Sequence, residues 1–180
     1  MKNETRIAVD AMGGDGGPEV IMPSLKDFLL YNSDVYLNVF GNENIISPYL
    51  NIFDKNLIKQ IKIIHTEEKV NSEDSPSHAL RHKKNSSMSL AIKSVKKNES
   101  LACVSAGNTG ALMAISRYIL GTLDGIDRPA IESMLPSLND HTHVLDLGAN
   151  IDCKAEHLYQ FPVMGSVLCM ILDDKSNPSV

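Results

Sequence analysis

Short apolar runs of strand length alternate along the chain with amphipathic stretches of helical period. Ile7–Asp10 reads as a first strand that ends at a glycine cluster. Pro18 then opens a helix whose inner stripe is Val20, Ile21, Ser24, Leu25 and Phe28. Between Val35 and Phe40 the residues Val35, Leu37 and Val39 alternate onto one face up to Gly41, a strand signature. Leu50, Phe53, Leu57 and Ile61 stand at helical spacing within Tyr49–Ile61, and Ile61–Ile64 is a further strand. Ser77–Lys97 reads as helix, interrupted around Asn85–Ser87. The clearest unit follows: strand Leu101–Val104, the loop SAGNTG, the helix ALMAISRYIL and a stop at Gly121. Strands at Ile131–Leu135 and His143–Leu147 precede a last helix around His157–Leu172. This alternation predicts an α/β fold with a largely parallel sheet and helices on both faces. No repeat, low-complexity linker or compositional break divides the chain, so residues 1–180 are expected to form one α/β domain.

Composition changes that picture little. Of 180 residues 43% are apolar and 11 more are glycine, an ordinary globular content that excludes general disorder. Seventeen basic against 22 acidic side chains give a net charge of −5, which speaks against a nucleic-acid binder. Cys103, Cys153 and Cys169 lie far apart, without a CxxC pair or a histidine at zinc spacing. They fit reduced thiols better than a disulfide framework or a structural metal site. The opening MKNETRIAVD lacks an apolar signal core, and the stretch Phe161–Leu172 is too short to span a bilayer and carries Pro162. A cytoplasmic protein, peripheral at a membrane at most, is expected.

In open α/β sheets ligands bind beyond the carboxyl ends of the strands, and three loops there are built from small residues. The first, DAMGGDGGP, places Gly13, Gly14, Gly16 and Gly17 between Asp10 and Pro18. Glycines let a backbone approach a ligand closely, and the helix start beyond them is a natural anion site. The spacing is neither GxGxxG nor a Walker loop. Asp10 and Asp15 would repel an anion unless they bind a cation, accept a proton or cap the turn, and a bare strand-to-helix turn explains the loop nearly as well. In the second loop, SAGNTGA, Ser105, Asn108 and Thr109 supply side-chain donors while Gly107 and Gly110 expose amides at a helix start. Phosphate or a developing oxyanion fits such a cradle, and helix capping is the alternative. The third, DLGANID, offers Asp146, Asn150 and Asp152, which suit substrate orientation, cation binding or acid–base work, or loop capping alone.

Only four arginines occur, and Arg81 begins RHKKNSS, a run without an acidic residue as far as Asn98. Lys93, Lys96 and Lys97 read as a solvated helix face. Arg81 and Lys84, beside Ser86 and Ser87, read as a ligand edge, and Arg128 as the anchor of a turn. The six histidines show no HExxH; His65, His141 and His143 read as surface or core residues. The absence of a GxSxG elbow argues against a serine hydrolase.

Taken together, DAMGGDGGP, SPSHALRHKKNSSM, CVSAGNTGALM, GIDRPA, VLDLGANIDC and the MGSVL stretch resemble the bacterial phosphate acyltransferase family, PlsX. That family forms acyl phosphate from acyl-acyl carrier protein and inorganic phosphate for phospholipid synthesis. The resemblance implies a three-layer α/β/α fold similar to phosphate acetyltransferases and isocitrate-dehydrogenase-like enzymes, incomplete at its C-terminus because family members are nearly twice as long. A homodimer is implied as well, with a membrane-bound acyltransferase as the next user of the product, and neither nucleic acid, metal nor organic cofactor. Within that reading Asn108, Arg81, Lys84 and Asp146 are the expected catalytic residues. Asp10, Gly13, Gly14, Asp15, Ser86, Ser87, Ser105, Gly107, Thr109, Asn150 and Asp152 are expected to bind substrate or phosphate. Two other readings stay open at this point: a truncated, inactive remnant, and a phosphate- or nucleotide-binding α/β module.

Overall fold

Alternating burial along the first strand decides the architecture. In β1 (Thr5–Asp10), Val9 turns to one side of the sheet and Ala8 to the other, and both are buried. Only a strand covered on both faces buries successive residues in this way. The computed structural model describes residues 4–138, 140–148, 150 and 152–179. They form two compact units, Met1–Gly121 and Thr122–Val180.

The first unit holds a four-stranded parallel sheet in the order β3-β2-β1-β4. After β1 come α1 (Gly17–Tyr31), β2 (Val35–Gly41), α2 (Glu43–Ile46), a 3-10 turn (Ser47–Ile52), α3 (Lys55–Ile58) and β3 (Ile61–His65). The chain then runs through α4 (Pro76–His82) and α5 (Ser87–Lys96) to β4 (Ala102–Ser105) and α6 (Thr109–Leu120). Val9, Leu37 and Val39 meet Met22 and Leu29 of α1, with Ile46 and Phe53, on one face. Ala8 and Phe40 meet Ala91 of α5 on the other, and α5 joins α4 and α6 through Ala79, Met88, Ile92, Ala111 and Ile115. These are the three expected α/β/α layers.

Boundaries of the four strands match the apolar pattern to within a residue or two. The helix expected over Tyr49–Ile61 is instead the 3-10 turn followed by the single turn α3. Pro48 enters the first turn of the 3-10 segment, and Phe53 is extended between the pieces. The apolar stripe is still used, since Phe53 is buried with Leu50 and Leu57 against it.

In the second unit β5 (Glu132–Pro136) and β6 (His141–Leu145) pair antiparallel as a sheet of their own, from Glu132 opposite Leu145 to Pro136 opposite His141. The strands lie too close in sequence for a parallel crossover, which needs a dozen residues or more. Helix α7 (Ala155–Leu172) follows, with Pro162 inside it, and buries Phe161 and His157. Among the described residues no helix is long and apolar enough to cross a membrane.

Candidate functional site

Strand order alone locates the crevice. The chain moves from β1 outward to β2 and β3, then returns to the other side of β1 as β4. The loops leaving β1 and β4 therefore diverge to opposite faces, the arrangement that opens a binding crevice at the carboxyl ends. Asp10 and Ser105 are register partners at those two ends. The Ser105 hydroxyl donates to Asp10 Oδ2 at 2.7 Å, and the Met12 amide donates to Asp10 Oδ1 at 3.2 Å. Ser105 Oγ in turn accepts from the Gly107 amide at 3.1 Å. Asp10, 2% exposed, is thus an internal tie between two loops.

Glycine lets the loops touch. A Cβ at Gly13 would lie 2.8 Å from both Asp10 Oδ2 and the Gly107 amide nitrogen. Gly14, at φ +76°, faces the Ala106 carbonyl at 2.9 Å by the same measure. Beyond this contact a cleft of about 440 Å³ is lined by Gly14, Asp15, Ser72, Gly107, Asn108 and Thr109, with Ala106 and Gly110. At its edge α6 begins, and its first amides lack intrahelical acceptors, so anions are favoured there.

Asn108 organises that helix start. Its Oδ1 accepts from the Ala111 amide at 2.9 Å, while its Nδ2 donates to the Ser72 and Asp74 carbonyls at 2.9 and 2.8 Å. One side chain thus caps α6 and holds the 71–74 turn over the cleft. Ser72 also donates to Asp15 Oδ1 at 3.3 Å. Ser72 and Asp74 were not among the expected site residues; they meet Asn108 more than thirty residues away. The only hint is the turn-forming NSEDS string.

Other expected residues lie elsewhere. Ser86 is the N-cap of α5, accepting from Ser89 N at 3.3 Å and donating to the Lys83 carbonyl at 2.7 Å. Ser87, also buried, has a hydroxyl without a hydrogen-bond partner among the described residues. Met88, next in sequence, approaches Gly107 from behind. Arg81 and Lys84 are exposed and do not line the cleft; Lys84 lines a separate groove with Lys93 and Tyr118.

The third loop belongs to the second unit, where residues 149 and 151 fall outside the description. Asp146, at φ 63°, accepts at Oδ1 from the Asn150 backbone and side-chain amides at 3.1 and 2.8 Å. Asn150 Nδ2 also reaches the Pro129 carbonyl at 3.0 Å, and Arg128 donates to the Asp152 carbonyl at 3.2 Å. Asp152 itself is exposed.

Two features bear on reactivity. Burial, helped by the Asp10 charge, pushes the Cys103 thiol up to about 12, so it is no nucleophile at neutral pH. In the second unit His143 is raised, chiefly by its hydrogen bond to Glu132. Burial pulls Asp173 upward, but hydrogen bonds from His143 and His141 outweigh it and hold the carboxyl low.

Comparison with known proteins adds a consistent picture. A family model described as fatty acid synthesis protein matches residues 5–180. The chain is similar, at 51% identity over 176 residues, to the phosphate acyltransferase of Methylococcus capsulatus, covering 98% of this chain and 52% of that relative. The phosphate acyltransferase of Legionella pneumophila strain Paris is 51% identical over 180 residues, all of this chain and 52% of its own length. That of Shewanella baltica strain OS155 is 51% identical over 175 residues, 97% of this chain and 51% of the relative. The chain spans about half the length of the curated relatives it matches.

Proposed function

The chain belongs to the fatty acid synthesis protein family, and on that premise we propose that it carries the phosphate-binding part of an acyltransferase. The reaction joins inorganic phosphate to the acyl group of acyl-acyl carrier protein, giving acyl phosphate for phospholipid synthesis. The observation that carries this reading is the glycine-lined cleft at the strand-order reversal, with α6 starting at its edge. Phosphate oxygen attacks the thioester carbonyl, a C–O bond forms, the C–S bond breaks, and the carrier thiol leaves with a proton. Phosphate is already nucleophilic at neutral pH, so the protein has to orient and desolvate it and stabilise the oxyanion.

In this scheme the Gly107 and Gly110 segment and the Thr109 hydroxyl hold phosphate at the positive end of α6. Asn108 is a positioning residue, because both ends of its amide are engaged with backbone. Asp10 with Ser105 fixes the distance between the loops, Gly13 and Gly14 permit that distance, and Asp15 closes the rim through Ser72. Arg81 and Lys84, exposed within a run free of acidic residues, draw the anionic substrates inward. Ser86 caps the start of α5, which carries Ser87 and brings Met88 behind Gly107. Asp146, expected among the catalytic residues, serves here with the substrate-binding Asn150 and Asp152 to orient substrate. Homodimer assembly, a cytoplasmic location and a transient stay at a membrane, where a membrane-bound acyltransferase takes the product, complete the proposal.

Acyl-phosphate formation by the purified chain, with acyl-acyl carrier protein and phosphate, tests it. Removing a preorganised contact at such a site costs about 10²-fold or more in rate, so Asn108→Ala should fall by that order. Arg81→Ala should slow the reaction most at low salt. Undiminished rates in both variants, or a wild-type chain that makes no acyl phosphate and gains no thermal stability from phosphate, would overturn the assignment.

A further inference from the structure

Three side chains of the second unit converge without any part in the scheme above. His141 and His143 lie two residues apart on β6 and so share a face, with ring centroids 5.0 Å apart. Asp173 caps the end of α7. His141 Nε2 stands 3.1 Å from both Asp173 oxygens, and His143 Nε2 stands 3.0 Å from Oδ2. Both Nδ1 atoms face carboxylates as well: His141 meets Asp140 at 2.9 Å and His143 meets Glu132 at 2.7 Å.

The proton count makes this arrangement unusual. Each imidazole presents both nitrogens to carboxylate oxygen, yet a neutral imidazole carries one N–H. With both imidazoles neutral, two contacts of the four are lone pair against carboxylate, a mismatch that either two extra protons or one divalent cation removes. Charge balance agrees, since Asp140, Glu132 and Asp173 sum to −3 and Lys175, 2.8 Å from Asp140, returns one positive charge. Two imidazolium protons or one doubly charged ion restore neutrality.

We propose that His141, His143 and Asp173 form a site for a divalent transition-metal ion of the zinc class. One donor atom from each lies within 4.8 Å of the other two. Bonds of about 2.0–2.1 Å to a tetrahedral ion put neighbouring donors about 3.3 Å apart, so the imidazole–carboxylate spacings of 3.1 and 3.0 Å need only a slight opening. Glu132 and Asp140 are the outer partners that metal-bound imidazoles commonly have, fixing the Nδ1–H tautomer and aiming Nε2 at the ion. His143 and Asp173 are largely buried, their side chains 3% and 11% exposed, while His141 at 26% leaves a path of entry. A cavity of about 310 Å³ beside His143 and Cys169 has room for a water as fourth ligand. The ion would fasten the end of α7 to the β5–β6 hairpin.

The test titrates Zn²⁺ into the full chain at pH 7.5 by calorimetry and follows Co²⁺ by its visible ligand-field bands. One equivalent is expected, with low-symmetry Co²⁺ bands and a rise in melting temperature of about 5 °C at a hundredfold excess over the dissociation constant. His143→Gln and Asp173→Asn should abolish stoichiometric binding, and Glu132→Gln should weaken it by about 10–100-fold. A variant with Cys103, Cys153 and Cys169 all changed to Ser should bind as before, and circular dichroism checks that each variant is folded. No stoichiometric uptake by the wild-type chain, binding that survives His143→Gln, or binding lost with the cysteines would each overturn the site.

Discussion

Unit Met1–Gly121 and unit Thr122–Val180 handle polar groups in opposite ways. In the first, the buried polar side chains are mostly neutral, and neutral donors or acceptors satisfy most of them. Asn38 donates to Ser100 Oγ at 2.9 Å, Gln60 to the Val35 carbonyl at 2.7 Å, and Thr66 to the Asn85 carbonyl at 2.5 Å. The one buried carboxylate among the described residues of this unit, Asp10, accepts from a hydroxyl and an amide. Apolar burial on both faces of the sheet carries the stability there, and the polar bonds fix register. In the second unit few side chains are buried, and the hairpin meets α7 through an imidazole–carboxylate cluster. Helix α7 is apolar almost all round, the composition of a helix meant to be covered. Yet Leu158 is 60% and Ile171 73% exposed. A strand-rich core thus specifies its partners through shape, whereas the smaller unit depends on ionic geometry and on apolar surface still open to a partner.

The largest expected contrast is chemical. Cys103, on the α5 side of the sheet and raised to about 12, is at pH 8 only about one part in ten thousand thiolate. Cys153 of the second unit is exposed. Iodoacetamide followed by peptide mass spectrometry should label Cys153 at least about a hundredfold faster than Cys103. Labelling of Cys103 then reports opening of the first unit. Equal rates in native protein would mean that the sheet is not closed over Cys103, and the contrast would fail.

A smaller contrast concerns added volume. Ala at Gly13 would press on backbone and a tied carboxylate, at 2.8 Å from the Gly107 nitrogen and from Asp10 Oδ2. Overpacking of that kind costs about 1–3 kcal/mol. Ala at Gly165, inside α7, meets the flexible Leu145 Cδ1 at 3.2 Å. Helix propensity favours Ala over Gly by about 0.5–1 kcal/mol, so Gly165→Ala should be neutral or stabilising. Urea denaturation separates the two; a harmless Gly13→Ala would show that the loops have room to part.

The same contrast explains what could be read from the residues alone. Strands β1 to β4 were visible because alternation and apolar runs are local, and the glycine loops because only glycine permits their close approach. The helix expected over Tyr49–Ile61 differs in geometry though not in burial, since Leu50, Phe53 and Leu57 still reach the core with Phe53 extended between the 3-10 turn and α3. The antiparallel hairpin was hidden because β5 and β6 look alike in either orientation, and only the short 137–140 connection betrayed it. Ser72 over the cleft was missed because turn 71–74 is tied through Asn108, a contact distant in sequence. His141 and His143 read only as surface or core residues because their partner Asp173 lies thirty or more residues on.

The smallest effect probes how far polar satisfaction governs the first unit. Ser86 and Ser87 are neighbours, both at most 1% exposed, and differ in partners. Ser86 caps α5 and hydrogen-bonds Lys83 O and Ser89 Oγ at 2.7 and 3.0 Å, whereas the Ser87 hydroxyl has no partner among the described residues. Losing an N-cap costs about 1 kcal/mol, so Ser86→Ala should lower stability by that amount. Removing an unsatisfied buried hydroxyl deletes a desolvation penalty as well as a polar group, so Ser87→Ala should shift stability by less than about 0.5 kcal/mol, in either direction. Equal losses in the two variants, measured by urea denaturation without phosphate, would mean that Ser87 has a hydrogen-bond partner after all. If, in a separate measurement, phosphate stabilises the wild type more than Ser87→Ala, Ser87 contacts the anion and belongs to the cleft.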